Sequence, residues 1–541
     1  MRSMNTGKHQ SQRAVAVEKS GFFELATLGI PVALYLSIRF LSTMEPGDDA
    51  YMTLRFVSNL LAGRGYVYNP GEPILGTTAL YPLLLALVCK LFGSDPIAAG
   101  RYFLLPFEVG NLFLVWFFGR RATGQPLVGM IAALLFATSP YLLSATLTYM
   151  EAPLFAFLIL ASCASFLLSD SPTWRALSWI FAGLALICRP EGGILFLALG
   201  LGYFLYRGKL RWSDLVWSGL ILVPWGAWTS WQFGGPIPTS MTAKRLAYVP
   251  YPHQSLAWLL KQIGRAFEFS VVPAQIERSH IAFNLLLLAF GAMSIVGSIP
   301  ALFPLLFFAL TFWALYALAN PFIFPWYLVP LEAPLYLAIS VALFRIAHLI
   351  SAALLPRLSW GDKAIFLLLF VPMLSARLAE FNGKVCDGTA CHKQALAFAM
   401  PGINPRSGLN YEREGWYLNV VDDLRGHVDA STRILTSEFG VIGYFLPCHM
   451  ISSLGHVNPE VLPYLPAPLD ETDYPTINHA ISVALVKALL PEYVISPEIF
   501  IRKSLLTSDW FAEQYSTEKI YPFGVYNYGE LYVFKRRTPG R

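Results

Sequence analysis

Of 541 residues, 55% are hydrophobic and 13% charged, with a mean hydropathy of +0.51; soluble globular chains carry about 25% charged residues, so a wholly soluble protein is excluded. The apolar stretches are helix-length and rich in Leu, Ala and Phe, which excludes the short alternation of a membrane β-barrel. The net charge of +5 is modest and falls in short basic clusters between apolar runs, so it reports topology and argues against a nucleic-acid partner.

In chain order, the polar and basic segment 1–20 reads as a cytoplasmic tail. The apolar run from Phe22 to Met44 lacks a small-residue cleavage site, which predicts an uncleaved first span. Pro46-Gly47 breaks it, and "DDAYMTLRFVSNLLAG" then predicts a helix closed by the glycines of "AGRG". On that helix Asp48, Arg55 and Asn59 share one face. The apolar stretch Tyr81–Phe92 is too short to cross a hydrocarbon core of about 30 Å. Read as interfacial or re-entrant, it leaves 45–100 as a large first external loop.

Basic clusters orient the remaining spans. The second, Tyr102–Gly119, ends inside at Arg120-Arg121, and the third returns outward to "TLTYMEAP". Later spans alternate through "SDSPTWR" inside, "CRPEGG" outside and "YRGKLRW" inside. A seventh leads to an external loop, 234–280, and an eighth and ninth form a hairpin through Pro300. The tenth follows "NPFIFPWYLVP", and the eleventh, Ile365–Ser375, exits again. The expected fold is therefore an α-helical polytopic membrane protein with about eleven spans within 21–379. From 380 to 541, β-like runs ("RILTSEF", "PEYVIS", "GELYVFKR") mix with a helical stretch ("NHAISVALVKALL"), predicting an extracytoplasmic α/β domain.

Unusual polar residues converge on the outer face. Asp48-Asp49 can cap their helix, an effect worth about 1 kcal/mol. Alternatively, one is a general base that deprotonates an acceptor hydroxyl while the other positions it or binds a cation. Glu151 lies at membrane depth, where ionisable groups are functional candidates. Arg189 and Glu191 of "RPEG" either pair locally or present Arg189 to a phosphate. Lys244 and Arg245, in the loop of "PIPTSMTAKR", are candidate phosphate ligands, and Trp326 and Tyr327 suit either the membrane interface or sugar stacking. Arg55, Glu151, Glu191 and Tyr327 complete the candidate substrate-binding set. His253, His280, His449 and His456 lack tight metal-ligand spacing, and neither a Walker loop nor a dinucleotide glycine fingerprint is present. Of six cysteines, Cys163 lies mid-span, while Cys386 and Cys391 are close enough in sequence to pair in an oxidising compartment.

The phrases "DDAYMTLRFVSNLLAGRGYVYNPGEPILGTT", "YMEAPLF", "LICRPEG", "PIPTSMTAKR", "PWYLVPL" and "ILTSEFGVIGYFLP" resemble the GT-C superfamily of membrane glycosyltransferases. The likeness is to the bacterial branch that includes the mycobacterial terminal arabinofuranosyltransferases. It implies a polyprenyl-phosphate sugar donor and a glycan, glycolipid or protein acceptor at the outer face of the bacterial inner membrane. It also implies an acidic first-loop base, Asp48 in preference to Asp49 by analogy with relatives. Lys244, Arg245 and Arg189 would neutralise the lipid phosphate. One attacking hydroxyl and no evident nucleophile imply inversion. The chain departs from the family at "PIPTSMTAK" and "EPILGTT", so sugar identity, arabinofuranose included, does not carry over. Metal dependence stays open at this point, because Asp48, Asp49 and Glu151 offer oxygen ligands for a divalent cation and no other cofactor is indicated. The rival readings are a transporter or flippase of lipid-linked sugars, and a membrane scaffold that binds a partner.

Overall fold

The computed structural model describes residues 5–42, 45–76, 78–208, 210–247, 256–257, 259–260, 277–319, 324–358, 360–371, 374, 413–467, 479–523 and 529–537. Cys386 and Cys391 lie outside these residues, as do His253 and the side chain of His280.

Twelve helices take the chain from its N-terminal region to Ala247. They are α1 (Asn5–Leu41), α2 (Asp48–Leu61), α3 (Leu80–Phe92), α4 (Pro96–Phe103), α5 (Leu105–Thr123), α6 (Pro126–Ala137), α7 (Pro140–Leu147), α8 (Ala152–Leu167), α9 (Pro172–Cys188), α10 (Gly193–Arg207), α11 (Trp212–Phe233) and α12 (Thr239–Ala247). After them come α13 (Glu277–Ser298), α14 (Phe303–Ala319) and α15 (Val329–Leu354). The chain is a multi-pass membrane protein. By length and composition, Phe23–Leu41, Pro96–Thr123, Pro300–Leu318 and Trp326–Leu354 are sufficient to span. The bent pair α6–α7 makes a fifth, and four further apolar helices, α3 among them, have 10–17 residues.

Local chemistry sets these boundaries. Asp95 accepts the Ile97 and Ala98 amides at 3.0 Å and Pro96 opens α4, a strong helix start. The stretch read as a single third span is broken by 53° at Ser139-Pro140. There Ser139 caps α7 by accepting the Tyr141 and Leu142 amides at 3.1 Å, and Pro140 takes the first position. Helices α5 and α6 touch through glycines: a Cβ at Gly119 would lie 2.8 Å from the Gly129 Cα. Small residues let helices approach this closely where lipid offers little hydrophobic drive. The bundle also encloses charge, because Arg39 of α1 meets Glu108 of α5 at 2.6 Å with both side chains fully buried.

The C-terminal region holds α16 (Arg413–Leu424), α17 (Gly440–Phe445), α18 (Val483–Leu489) and α19 (Asp509–Gln514) around five strands. These are β1 (Arg433–Thr436), β2 (His449–Ser452), β3 (Tyr493–Pro497), β4 (Tyr515–Tyr521) and β5 (Leu531–Arg536), ordered β2-β1-β3-β5-β4. The three quoted β-like runs cover β1, all of β3 but Pro497, and β5, and the quoted helical stretch contains α18. Strand β1 is parallel to β2 and β3, while β5 is antiparallel to β3 and β4. Alternation splits its side chains between two cores. Leu435, Ile451, Val494 and Phe534 form one row and pack with Leu485 and Phe511. Ile434, Met450, Tyr493 and Ile495 face the other way, into the core continuous with the helical bundle. One face of the sheet is thus sealed against the rest of the molecule.

Candidate active site

The first loop and the C-terminal region are stitched together through α2. Asp48 opens this helix, but its carboxylate oxygens accept the Gly440 and Val441 amides at 3.1 and 2.9 Å. Its own amide donates to Glu414 at 3.1 Å. Two turns on, Arg55 donates to the carbonyls of Tyr68 at 2.9 Å, Cys448 at 2.8 Å and Gly443. Its guanidinium also lies 4.6 Å from the Tyr68 ring centroid. Tyr68 donates to the Phe439 carbonyl at 2.8 Å, and Asn69 exchanges two bonds with the Met450 backbone at 2.9 and 3.1 Å. The seam depends on small residues in α17. A Cβ at Gly440 would collide with the Asp48 carbonyl, and one at Gly443 with the Tyr68 hydroxyl.

Asp49 is placed differently. It is half-buried, and Lys244, Arg413 and Glu414 act on it. Burial raises its carboxyl above the usual range, while Lys244 and Arg413 pull it back. Burial likewise pushes Asp48 up to about 6 and Glu438 up to about 8, with Arg413 opposing both. Arg413 links this group. It donates to Glu414 at 2.7 Å and to Glu438 at 3.3 Å.

On the membrane side, the site is bounded by α9, α12 and the start of α15. The pair Lys244-Arg245 was expected on a loop and instead sits on α12. Lys244 is half-buried and donates to the Tyr327 hydroxyl at 2.7 Å. Burial disfavours its charge, yet Tyr327 and Asp49 together keep its pKa above the ordinary value. Among the described residues it makes no ion pair. Arg245 is exposed.

Arg189, by contrast, is saturated. It donates to Glu151 at 2.9 Å, to Glu191 at 3.2 Å and to the Tyr316 hydroxyl at 3.4 Å, and lies 4.5 Å from the Tyr327 ring centroid. Tyr316 also donates to Glu191. The local Arg–Glu pair, one of two readings open from sequence, is the arrangement formed. Two residues before Glu151, Tyr149 has φ 60, a left-handed conformation costing a bulky residue roughly 1–2 kcal/mol. Strain of this kind clusters near functional sites.

A family model described as dolichyl-phosphate-mannose-protein mannosyltransferase matches residues 77–228, a minority of the chain. No curated protein matches it in sequence. Among solved structures, it resembles ArnT from Cupriavidus metallidurans bound to undecaprenyl phosphate, with 12% identity, 95% of this chain and 98% of that one covered, and a TM-score of 0.54. It also resembles the Archaeoglobus fulgidus oligosaccharyltransferase tethered with an acceptor peptide, with 14% identity, 96% and 74% coverage, and a TM-score of 0.51. The chain has the GT-C fold. The mycobacterial arabinofuranosyltransferase AftD covers 96% of this chain with 40% of its own length, at 13% identity and a TM-score of 0.44, too loose a likeness to bear on the sugar.

Within this GT-C fold, the divalent-cation option does not fit the donors present. Asp48 is held by two amides and Glu151 by Arg189, so they do not form a common donor set with Asp49. Among the described residues no three His, Cys, Asp or Glu side chains gather to hold a metal ion. Sequence reasoning overlooked Arg413, Glu414, Glu438 and Tyr316. The first two lie in "YEREGWY", an ordinary surface-helix pattern, and Glu438 lies in the phrase "ILTSEFG" that carried the GT-C resemblance.

Proposed function

We propose that the chain is an inverting glycosyltransferase that moves a monosaccharide from a polyprenyl-phosphate donor to a hydroxyl of an envelope glycan, glycolipid or protein. The reading places it in the bacterial inner membrane with its site on the outer face. The observation that carries it is that Asp49 and Lys244 are both half-buried in a GT-C fold and neither makes an ion pair among the described residues, although Lys244 seats on the Tyr327 hydroxyl.

In this reading, Asp49 takes the acceptor hydroxyl proton as the acceptor oxygen attacks the anomeric carbon. The bond from that carbon to the phosphate oxygen breaks, its electron pair leaves with the polyprenyl phosphate, and Lys244 stabilises the charge that develops there. A raised pKa suits Asp49 to this task, because a stronger base accepts the proton more readily. Asp49 replaces Asp48 as the favoured base, since both Asp48 oxygens are occupied by backbone amides. Arg189 orients Glu151 and Tyr327 and does not meet the phosphate. Tyr327 in turn steers Lys244.

The test is transfer from synthetic polyprenyl-phosphate sugars, beginning with arabinofuranose, by purified protein beside an Asp49→Asn variant. Transfer by the wild type that is lost in the variant supports the reading. Full activity in the variant refutes the base, and lipid binding without turnover of any donor favours a transporter.

A further inference from the structure

Helix α7 ends in a strained turn. Met150 donates to the Ala145 carbonyl at 2.8 Å and Tyr149 to the Thr146 carbonyl at 3.2 Å, the paired bonds that close a helix around one left-handed residue. That position usually falls to glycine, which has no Cβ to clash, and here it is held by Tyr149 with φ 60. A chain that tolerates such strain has a use for the side chain that causes it.

Tyr149 is buried, and its ring lies on α4. A Cβ at Gly100 would sit 3.2 Å from the Tyr149 Cδ2 and 3.9 Å from Leu54 of α2. Arg39 of α1 fixes this platform. It donates to the carbonyl of Arg101, the next residue, at 2.6 Å, and its buried guanidinium is itself held by Glu108 of α5. Tyr35, one turn earlier on α1, meets the Thr146 hydroxyl at 2.9 Å. Helix α1 therefore grips both the platform under the ring and the end of α7, which gives the buried Arg39–Glu108 pair a task beyond helix association.

From this turn, contacts run to both halves of the proposed centre. The Thr148 carbonyl accepts the Gly47 amide at 3.3 Å, directly before Asp48 and Asp49. In the other direction the turn ends at Glu151, which accepts from Arg189 at 2.9 Å. Arg189 lies over Tyr327, and the Tyr327 hydroxyl receives Lys244 at 2.7 Å. Thr148 and Glu151 stand on either side of Tyr149, so rotation of the turn would shift Asp49 and Lys244 relative to one another.

We propose that Tyr149 is a positioning residue that sets the separation of Asp49 and Lys244, its ring keyed to Gly100 so that the turn 146–151 cannot rotate. It acts through the Thr148 backbone and the Glu151 side chain. This rests on the glycosyl-transfer reading above, and the two can fail separately.

Full-length protein in nanodiscs would be assayed with synthetic polyprenyl-phosphate sugars, and bound undecaprenyl phosphate would be counted by native mass spectrometry. Tyr149→Gly keeps the left-handed turn and deletes the ring. A displacement of about 1 Å predicts a fall of about 10²-fold in kcat per lipid-binding chain. A variant that merely unfolds would lose lipid-binding chains and keep that quotient. Tyr149→Phe, which retains the ring, should keep the wild-type value. Gly100→Ala presses on the ring and should also lower kcat, but it should do nothing further in Tyr149→Gly, where no ring is left to press. Affinity for undecaprenyl phosphate should weaken in Tyr149→Gly, and adding Tyr149→Gly to Lys244→Met should weaken it no further. Unchanged kcat per lipid-binding chain in Tyr149→Gly, or equal effects of Gly100→Ala in both backgrounds, overturns the positioning role and leaves the enzymatic reading standing. If the wild type turns over no donor, the enzymatic reading falls, and the pattern of lipid affinities alone upholds or overturns the role.

Discussion

Two polar regions share helix α2 and are built in opposite ways. In the seam, Asp48, Arg55, Tyr68 and Asn69 spend their hydrogen-bonding capacity on backbone groups of the C-terminal region. Beside the seam, Asp49 and Lys244 stay half-buried without an ion pair among the described residues, and the buried Tyr417 hydroxyl has no hydrogen-bond partner among them. Saturated polar groups fix architecture, and unsaturated ones await a ligand. Adjacent aspartates thus take different work because one faces amides and the other faces charges.

The comparison breaks if Asp49→Asn resembles Asp48→Asn. Loss of a general base predicts a fall of roughly 10²–10⁴ in kcat for Asp49→Asn with unchanged thermal stability. Asp48→Asn should instead lower stability first, as read by a melting curve alongside transfer rate. Arg55→Ala leaves buried carbonyls without a donor, so a loss on the order of 3–5 kcal/mol is expected in denaturant titration. Lys244→Met removes one charge-assisted contact and should raise donor KM by about 10–100-fold while leaving stability intact.

The pH dependence sharpens the same contrast. Burial raises both Asp48 and Glu438, so the folded state holds protons that the unfolded state releases. Stability from this source is present at low pH and is lost as pH rises through about 6 and then about 8. The melting temperature should therefore decline across that window, and Glu438→Gln should flatten its upper part. Arg245→Ala, at an exposed position, should change stability by less than about 0.5 kcal/mol.

Much of this arrangement is written in local pattern. Helical periodicity correctly puts Asp48 and Arg55 on one face, and β-branched and aromatic runs mark β1, β3 and β5. What that face meets is decided by segments far away in the chain. Arg55 was expected to bind substrate, yet its partners are Gly443 and Cys448, 388 and 393 residues on. Periodicity carries no information about such distances. The acidic and basic residues of "YEREGWY" look like a solvated helix until Arg413 is seen between Glu414 and Glu438. Lys244 was expected on a loop because Pro and Gly precede it, but the segment after them is helical and seats against Tyr327.

The span of 392 residues between Asp48 and Gly440 also imposes an order of events during biosynthesis. A ribosome elongating at roughly 5–20 residues per second needs about 20–80 s to cover it. Throughout that interval helix α2 has its carboxylate and guanidinium but not the amides and carbonyls that will hold them. The seam between α2 and α17 therefore closes only after residue 440 has been made, and a shorter nascent polypeptide lacks it.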